Sequence, residues 1–303
     1  MELIDRFRGF NRTWTEVLGL LDQGLLETEY SLAEARVIFE LAQRDSWERQ
    51  ELRDRLGIDA SFLSRVVNRL VDRQLVVSEP SPLDGRAVIL TLTKSGREAA
   101  AVLNQRAADQ ISQLVEPLSG DQRSVLAESM TVLAAMTHPV VAKRQVEFRE
   151  LKPGDMGWVI QRHGAIYHDE FGWDSDFEAL VGRIVVDYHT DFKPGRENAW
   201  IAEVDGARAG CVFCCELDEQ TAQLRILLVE PWARGLRLGT LLVDQCLEFA
   251  TAAGYSSMML WTNDVLISAR RLYEAAGFEL TEQEQHHSFG HDLVGQNWSL
   301  DLA

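Results

Sequence analysis

One stretch decides the fold of the second half of the chain: Leu224-Arg225-Ile226-Leu227-Leu228-Val229-Glu230-Pro231-Trp232-Ala233-Arg234-Gly235-Leu236-Arg237-Leu238-Gly239-Thr240. Its apolar first part predicts a strand, Pro231 ends that strand, and a helix is predicted from Arg237. A glycine-containing loop before a helix can hold a pyrophosphate, because exposed N–H groups and the helix dipole attract the anion. An ordinary strand-to-helix turn also explains these residues.

Strands and helices alternate on both sides of this stretch. The predicted strands are residues 146–151, 198–204, 208–217, 221–229, 257–262, 278–285 and 291–301. The predicted helices are residues 155–168, 175–190, 237–253 and 266–276. This alternation predicts a mixed α/β sheet domain over residues 146–303.

Residues 1–140 instead predict a mainly helical domain, with a boundary at 138–146. A capping-box pair, Ser31 and Glu34, begins a helix that ends near Gln43. A short helix runs from about Ser46 to Leu56, and a third helix, a hairpin over residues 76–92 and two long helices follow.

The third helix has the pattern of a DNA-reading helix. Leu63, Val66, Val67 and Leu70 lie on one face at helical spacing, which gives the helix an apolar rear. The outer face then carries short polar and arginine side chains, as a major-groove helix requires. The residues that we expect to contact DNA are Ser61, Ser64, Arg65, Asn68 and Arg69, with Arg86 at the hairpin tip. The alternative is an ordinary solvated helix face.

The distribution of charge supports this division. The chain of 303 residues has a net charge of −17, but residues 1–145 account for only −3 and residues 146–303 for −14. Residues 49–97 carry 9 Lys/Arg and 6 Asp/Glu, which permits a locally positive surface. The absence of a long apolar run and of a signal core, together with 4 cysteines, predicts a cytoplasmic protein without a disulfide framework or a membrane span.

Residues 1–140 resemble the MarR family of winged-helix regulators. The residues that carry the likeness are Ser31-Leu32-Ala33-Glu34-Ala35-Arg36, Leu63-Ser64-Arg65-Val66-Val67-Asn68-Arg69-Leu70, Asp84-Gly85-Arg86 and Leu92-Thr93-Lys94-Ser95-Gly96. The resemblance implies a homodimer that binds palindromic double-stranded DNA. Acidic residues near this surface, such as Glu51 and Asp72, are expected to weaken the affinity.

Residues 146–303 resemble the GNAT N-acetyltransferases. The likeness rests on the loop quoted above and on Leu272-Tyr273-Glu274-Ala275-Ala276-Gly277-Phe278. In the family signature Arg234 takes the first place and Gly239 the last, whereas Arg237 replaces the middle glycine. The resemblance implies that acetyl-CoA contacts a set of residues in this loop and its neighbours: Leu227, Val229, Arg234, Gly235, Leu236, Arg237, Leu238, Gly239, Thr240 and Asn263.

The resemblance also implies the catalytic roles. Tyr273 would protonate the CoA sulfur, and the Val229 N–H would polarise the acetyl carbonyl; a core aromatic is the alternative for Tyr273. Because strand 221–229 has no carboxylate, the candidate bases are Glu203, Glu216 or a water chain.

The acceptor pocket is expected within residues 167–174. Tyr167, Glu170 and Trp173 predict an acidic, aromatic pocket for a cationic amine, with a solvated loop as the alternative. The histidines in 286–291 lack a zinc-ligand spacing, so no metal site is expected.

These observations predict a bifunctional protein, a transcription regulator joined to an acetyl-CoA-dependent N-acetyltransferase that acts on a small amine. Two alternatives stay open. In one, the GNAT domain is a non-catalytic sensor of acetyl-CoA or of an amine; in the other, the winged helix serves only for dimerisation.

Overall fold

The computed structural model describes residues 2–19, 25–82, 87–137 and 144–302, and its contacts divide the chain into two units, Met1–Arg123 and Ser124–Ala303. Residues just after the division belong with the second unit, since Arg208 forms an ion pair with Glu128. Most of the predicted boundary, residues 138–143, lies outside the described residues. The domain limits 1–140 and 146–303 stay a prediction.

The first unit is mainly helical. Its elements, with the helix that continues into the second unit, are α1 Glu2–Val17, α2 Leu32–Leu41, β1 Trp47–Glu48, α3 Arg49–Leu56, α4 Ala60–Asp72, β2 Val76–Pro80, β3 Val88–Leu92, α5 Lys94–Val115 and α6 Gly120–Thr137. Side-chain caps define several helix starts: Ser31 and Glu34 form the predicted capping box, Asp59 accepts from Phe62 N, and Thr93 accepts from Gly96 N.

The strands of this unit form a small antiparallel sheet in the order β1-β3-β2. The predicted hairpin is confirmed, with Val76 opposite Leu92. The predicted helix start at Ser46 was wrong, because Trp47 and Glu48 pair with β3 as a short strand and α3 begins at Arg49. This pairing buries the Trp47 side chain in the core of the unit.

The second unit is a mixed α/β fold. Its elements are β4 Val146–Glu150, α7 Asp155–Phe171, α8 Ser175–Thr190, β5 Asn198–Val204, β6 Ala207–Glu216, β7 Thr221–Val229, α9 Leu238–Ala252, β8 Ser257–Asn263, α10 Ile267–Ala275, β9 Glu279–Ser288 and β10 His291–Asp301. The predicted alternation of strands and helices is confirmed, with small shifts at the ends of elements.

The strands form one sheet in the order β4-β5-β6-β7-β8-β10-β9. Only β7 and β8 pair in parallel; every other neighbouring pair among the described strands is antiparallel. One apolar core includes Leu242 of α9 and Met258 of β8, and another includes Val159 of α7 and Phe213 of β6. These cores hold helices against both faces of the sheet. Within the described residues, no helix combines the length and apolar character that a membrane crossing requires.

Candidate functional site

Strands β7 and β8 separate after a short parallel pairing, and this opening positions the candidate site. The pairing runs from Thr221 with Ser257 to Leu224 with Leu260. Beyond it, a bulge in β7 at Ile226, where φ is 54°, changes the register against β6. Two cavities meet at the opening, and we name them the loop cavity and the aromatic cavity.

The loop cavity, of about 420 Å³, is formed by the end of β7, the loop that follows and the start of α9, with residues of α7 and α10. Most residues predicted to bind acetyl-CoA line it: Leu227, Val229, Arg234, Gly235, Arg237, Leu238, Gly239 and Thr240. Leu236 and Asn263 do not line this cavity, and their contact with acetyl-CoA stays a prediction.

The backbone of this loop is shaped to receive an anion. Gly235 and Arg237 have φ of 83° and 59°, a left-handed conformation that glycine adopts freely and arginine does not. Arg237 is the N-cap of α9, so the unpaired N–H groups and the positive end of a 15-residue helix face the cavity region. Arg234 adds a second cation, which forms an ion pair with Glu170 at 2.7 Å.

The aromatic cavity, of about 410 Å³, lies on the other side of the opening. Helices α7 and α8 and the segment between them contribute aromatic and aliphatic side chains, and β7, β8 and β10 contribute the opposite wall. Its lining includes His163, Tyr167, Trp173, Phe177, Leu180, Ile184, Arg225, Met259, Trp261, Asn263 and Asn297. Among the described residues that line it, Arg225 is the only one with a permanent charge.

Two tyrosines lie at the junction of the cavities. Tyr167 lines both cavities, together with Leu227, Leu266 and Ala269. Tyr273, on α10, is buried and lines the aromatic cavity. Burial raises the pKa of Tyr167 to about 12. Burial, and next the neighbouring Tyr167, raises the pKa of Tyr273 well above its usual value. Both phenols therefore keep their protons at neutral pH.

His163 presents an unprotonated nitrogen to the aromatic cavity. Its Nδ1 lies 2.8 Å from the Val159 carbonyl oxygen, which only accepts, so Nδ1 carries the proton. No hydrogen-bond partner for Nε2 is found among the described residues. Burial lowers the pKa of His163 to about 4, which keeps the imidazole neutral at pH 7. His163 can therefore accept one hydrogen bond from a bound molecule.

Asn263 also has an unused polar group. Its Oδ1 accepts from His286 Nε2 at 2.9 Å, and its Nδ2 has no partner among the described residues. The residue is 1% exposed and lines the aromatic cavity rather than the loop cavity. The buried Nδ2 thus keeps an unused capacity to donate hydrogen bonds beside the aromatic cavity.

The structure corrects both predicted bases. Glu203 pairs with Arg149 at 2.6 Å, and Glu216 pairs with Lys193 at 2.7 Å and Arg196 at 2.9 Å. These hydrogen bonds lower the pKa of Glu216 to about 2. Neither carboxylate lines either cavity. Both carboxylates are held in ion pairs outside the two cavities.

The predicted acceptor residues separate between the two cavities. Trp173 lines the aromatic cavity and Tyr167 lines both, but Glu170 lines the loop cavity. Glu170 lies one helical turn beyond Tyr167 on α7, which carries its carboxylate to Arg234. No carboxylate of the described residues lines the aromatic cavity, and the acidic, aromatic acceptor pocket stays a prediction.

Sequence reasoning missed His163 and Arg225. His163 precedes Tyr167 by four residues, a spacing that places both on one helix face, and this was a usable signal. Arg225 interrupts an otherwise apolar strand, but only the separation of β7 from β8 makes it part of a cavity wall.

In the first unit, the predicted DNA-contacting residues share the outer face of α4. Ser61, Arg65, Asn68 and Arg69 are exposed, and Ser64 is half-buried. The Arg69 guanidinium lies 3.4 Å from the Glu34 carboxylate, and this ion pair offsets part of the positive charge of Arg69. The opposite face is buried, as predicted. Arg86 lies outside the described residues.

Family models match both units. The model of the acetyltransferase (GNAT) family matches residues 161–278, and the model of the MarR family matches residues 28–87. Among solved structures, yncA from Salmonella typhimurium, determined with its cofactor acetyl-CoA, is 19% identical, with a TM-score of 0.44, over 52% of this chain and 94% of that chain.

Curated relatives that are named N-acetyltransferases match part of this chain. An uncharacterized N-acetyltransferase of Schizosaccharomyces pombe is 33% identical over 129 residues, 40% of this chain and 75% of the relative. Human N-acetyltransferase 8B is 34% identical over 93 residues, and this match spans 29% of this chain and only 41% of the relative. Through its second unit the chain belongs to the GNAT family of N-acetyltransferases, and its first unit contains a MarR family region.

Proposed function

We propose that the second unit transfers an acetyl group from acetyl-CoA to a small amine, and that the first unit binds double-stranded DNA as a transcription regulator. The observation that carries the enzymatic proposal is that the two cavities share part of their lining, which includes Tyr167, while Tyr273 lies in the wall of the aromatic cavity. A donor in one cavity and an acceptor in the other would meet at this shared lining.

The loop cavity fits acetyl-CoA. The α9 N-terminus and the guanidinium groups of Arg234 and Arg237 suit a pyrophosphate, and Leu227 and Val229 offer an apolar path toward the opening. When bound, acetyl-CoA supplies a thioester whose carbonyl carbon is open to attack by nitrogen. The backbone N–H of Val229 stays the predicted donor to the thioester oxygen.

Tyr273 is the proposed acid. In the reaction a bond forms between the amine nitrogen and the acetyl carbon, and the carbon–sulfur bond breaks. The departing thiolate takes the phenolic proton of Tyr273, which is available because burial keeps the pKa of the phenol high.

His163 replaces Glu203 and Glu216 as the proposed proton acceptor. His163 lines the cavity assigned to the amine, and its Nε2 has no hydrogen-bond partner among the described residues. A low pKa makes this nitrogen too weak to deprotonate an ammonium ion, so the amine must enter neutral. The nitrogen becomes strongly acidic after attack, and His163 can then take its proton.

The enzymatic proposal is tested with the purified full chain. CoA release would be followed over a broad panel of primary amines, and acetyl-CoA binding would be measured by calorimetry. We expect micromolar to millimolar binding and amine-dependent CoA release. Absence of both binding and release would reject the proposal; binding without release, unchanged by Tyr273→Phe, would favour the alternative of a sensor.

The DNA proposal rests on helix α4, which exposes a polar face to solvent and buries the opposite, apolar face. Arg65→Ala is expected to weaken binding to DNA upstream of the protein's own gene by about 1–3 kcal/mol and to lessen its salt dependence. Arg183→Ala, on the exposed side of α8, is the matched control. Equal binding by both variants would favour a winged helix that serves only for dimerisation.

A homodimer is the proposed assembly. Helix α1 buries none of its described residues, and Leu3, Ile4, Phe7 and Phe10 are exposed on it. An exposed apolar row of this kind suits a second copy of the chain. Sedimentation at several concentrations would test this, and a monomer at every concentration would reject it. A cytoplasmic location also stays a prediction.

A further inference from the structure

Arg225 places an unmatched positive charge in the wall of the aromatic cavity. It is half-buried, and no carboxylate of the described residues forms an ion pair or hydrogen bond with it. The other described side chains of the lining are neutral at pH 7. A guanidinium cannot lose its charge in a protein, and a partly buried one is stabilised by an anion. The wall of this cavity therefore favours an anionic group on the bound molecule.

The position of Arg225 relates this charge to the proposed reaction centre. Leu224 is the last residue of β7 paired with β8, and Arg225 follows it directly. Leu227, two residues further, lines both cavities. Two residues of an extended strand span about 7 Å, and the bulge at Ile226 makes the distance from position 225 to position 227 no longer than this. A molecule whose amine lies at the junction thus extends toward Arg225 within the length of a small metabolite.

Two further properties of the lining restrict the ligand. Asn263 lines the cavity, and its buried amide Nδ2 has no hydrogen-bond partner among the described residues, so an anionic oxygen that reached this atom would accept a hydrogen bond. The remaining wall is largely aromatic and aliphatic, with Trp173, Phe177 and Trp261 among its members. Such a wall suits an apolar substituent and offers no counter-ion to a second ammonium group.

We propose that the acceptor amine carries a carboxylate and an apolar or aromatic substituent, that is, an amino acid of this class whose carboxylate is held by Arg225 and Asn263. This inference rests on the proposed acetyl transfer and names its substrate class. Diamines and polyamines are poor acceptors, because no lining carboxylate receives their second cation. L-aspartate is also poorer than L-phenylalanine, because its second carboxylate meets no second cation.

The test compares acceptors that differ only in the carboxylate. The full chain is used with saturating acetyl-CoA, and kcat/KM for CoA release is measured for L-phenylalanine, L-phenylalaninamide and phenethylamine. For each compound the pH is chosen so that the same fraction of its amine is neutral. We expect L-phenylalanine to exceed the other two by about 10- to 100-fold, the range for a charge-assisted contact. Equal kcat/KM values would overturn the proposal.

Substitutions of Arg225 test whether this residue causes the preference for L-phenylalanine over phenethylamine. Arg225→Gln is expected to bring the ratio of kcat/KM for L-phenylalanine over phenethylamine to within about threefold. Arg225→Lys retains the charge and should retain part of the preference. Arg183→Gln removes an exposed arginine that lines neither cavity and should leave the ratio unchanged. A preference that survives in a folded Arg225→Gln protein would overturn the assignment.

Calorimetry tests this inference separately from the proposed catalysis. If no amine is acetylated, the proposed catalysis is rejected, but the affinities of the CoA-bound chain for L-phenylalanine and phenethylamine still show whether the cavity prefers a carboxylate. Tighter binding of L-phenylalanine, lost in Arg225→Gln, supports the inference. Equal binding of the two compounds, or of wild type and variant, overturns it.

Discussion

The loop cavity and the aromatic cavity meet at one opening but are built in different ways. The loop cavity takes about half of its lining from one contiguous run, Leu227–Thr240, and the rest from two short segments, residues 166–171 and 265–272. The aromatic cavity combines side chains from α7, α8, β7, β8, α10 and β10, between His163 and Asn297. A site made by one run can be predicted from its motif, whereas a site assembled from distant elements depends on their packing. The predictions below test whether the two cavities also act separately.

The largest effect is expected from Tyr273→Phe. Removing the proposed acid should lower kcat by about 10²–10⁴-fold. Acetyl-CoA affinity should not change, because Tyr273 lines the aromatic cavity and not the loop cavity. Steady-state kinetics and calorimetry measure the two quantities. Tyr188→Phe, which packs against the other apolar core of this unit and lies outside both cavities, is the control. A loss of acetyl-CoA binding in Tyr273→Phe would contradict the separation.

His163→Phe is expected to reduce kcat by about 10²-fold with little change in acetyl-CoA affinity. The substitution keeps an aromatic ring beside Tyr167 and Phe177 but removes the proposed acceptor nitrogen. His189→Phe, at an exposed position of α8, serves as the control. An unchanged kcat would show that His163 only fills space.

The same histidine predicts an acid sensitivity of the second unit. The pKa of His163 is about 4 when folded and near 6.5 when unfolded, so the unfolded chain binds the proton more readily between these values. Stability present above pH 6.5 is therefore lost as pH falls toward 4, by about 2 kcal/mol between pH 7.5 and pH 5.

Urea unfolding of wild type and His163→Phe at both pH values measures this contribution. Other groups titrate in both proteins, so only the difference between them reports on His163. An equal loss of stability in the two proteins would contradict a neutral, buried imidazole.

The smallest effect is expected in the loop cavity, from Arg237. Arg237→Ala and Arg237→Gly should each weaken acetyl-CoA binding about tenfold if the guanidinium contacts the pyrophosphate. Arg237→Gly also relieves the left-handed backbone at φ 59°, so it should be the more stable of the two. Calorimetry measures how the lost charge changes the affinity for acetyl-CoA, and thermal unfolding measures how the backbone conformation changes the stability. Wild-type affinity in Arg237→Gly would show that only the backbone conformation at this position matters.

Local signals explain why much of the fold was predictable. Ser31, Asp59 and Thr93 cap the helices that follow them, and each acts within three residues of chain. The strand at Trp47 was missed because it exists only through pairing with Leu90, more than forty residues away. For the same reason Glu203 and Glu216 were plausible bases until their arginine and lysine partners were located.

The sequence by itself determined the order of elements, the two families and the anion-binding loop, because caps, periodicity and the run Leu224–Thr240 act over short distances. The lining of the aromatic cavity depends instead on tertiary packing. The separation of β7 from β8 brings Arg225 into the cavity wall, and α7 places His163 in the lining of the aromatic cavity and Glu170 in that of the loop cavity. These outcomes depend on contacts between residues distant in sequence, so a local pattern alone does not determine them.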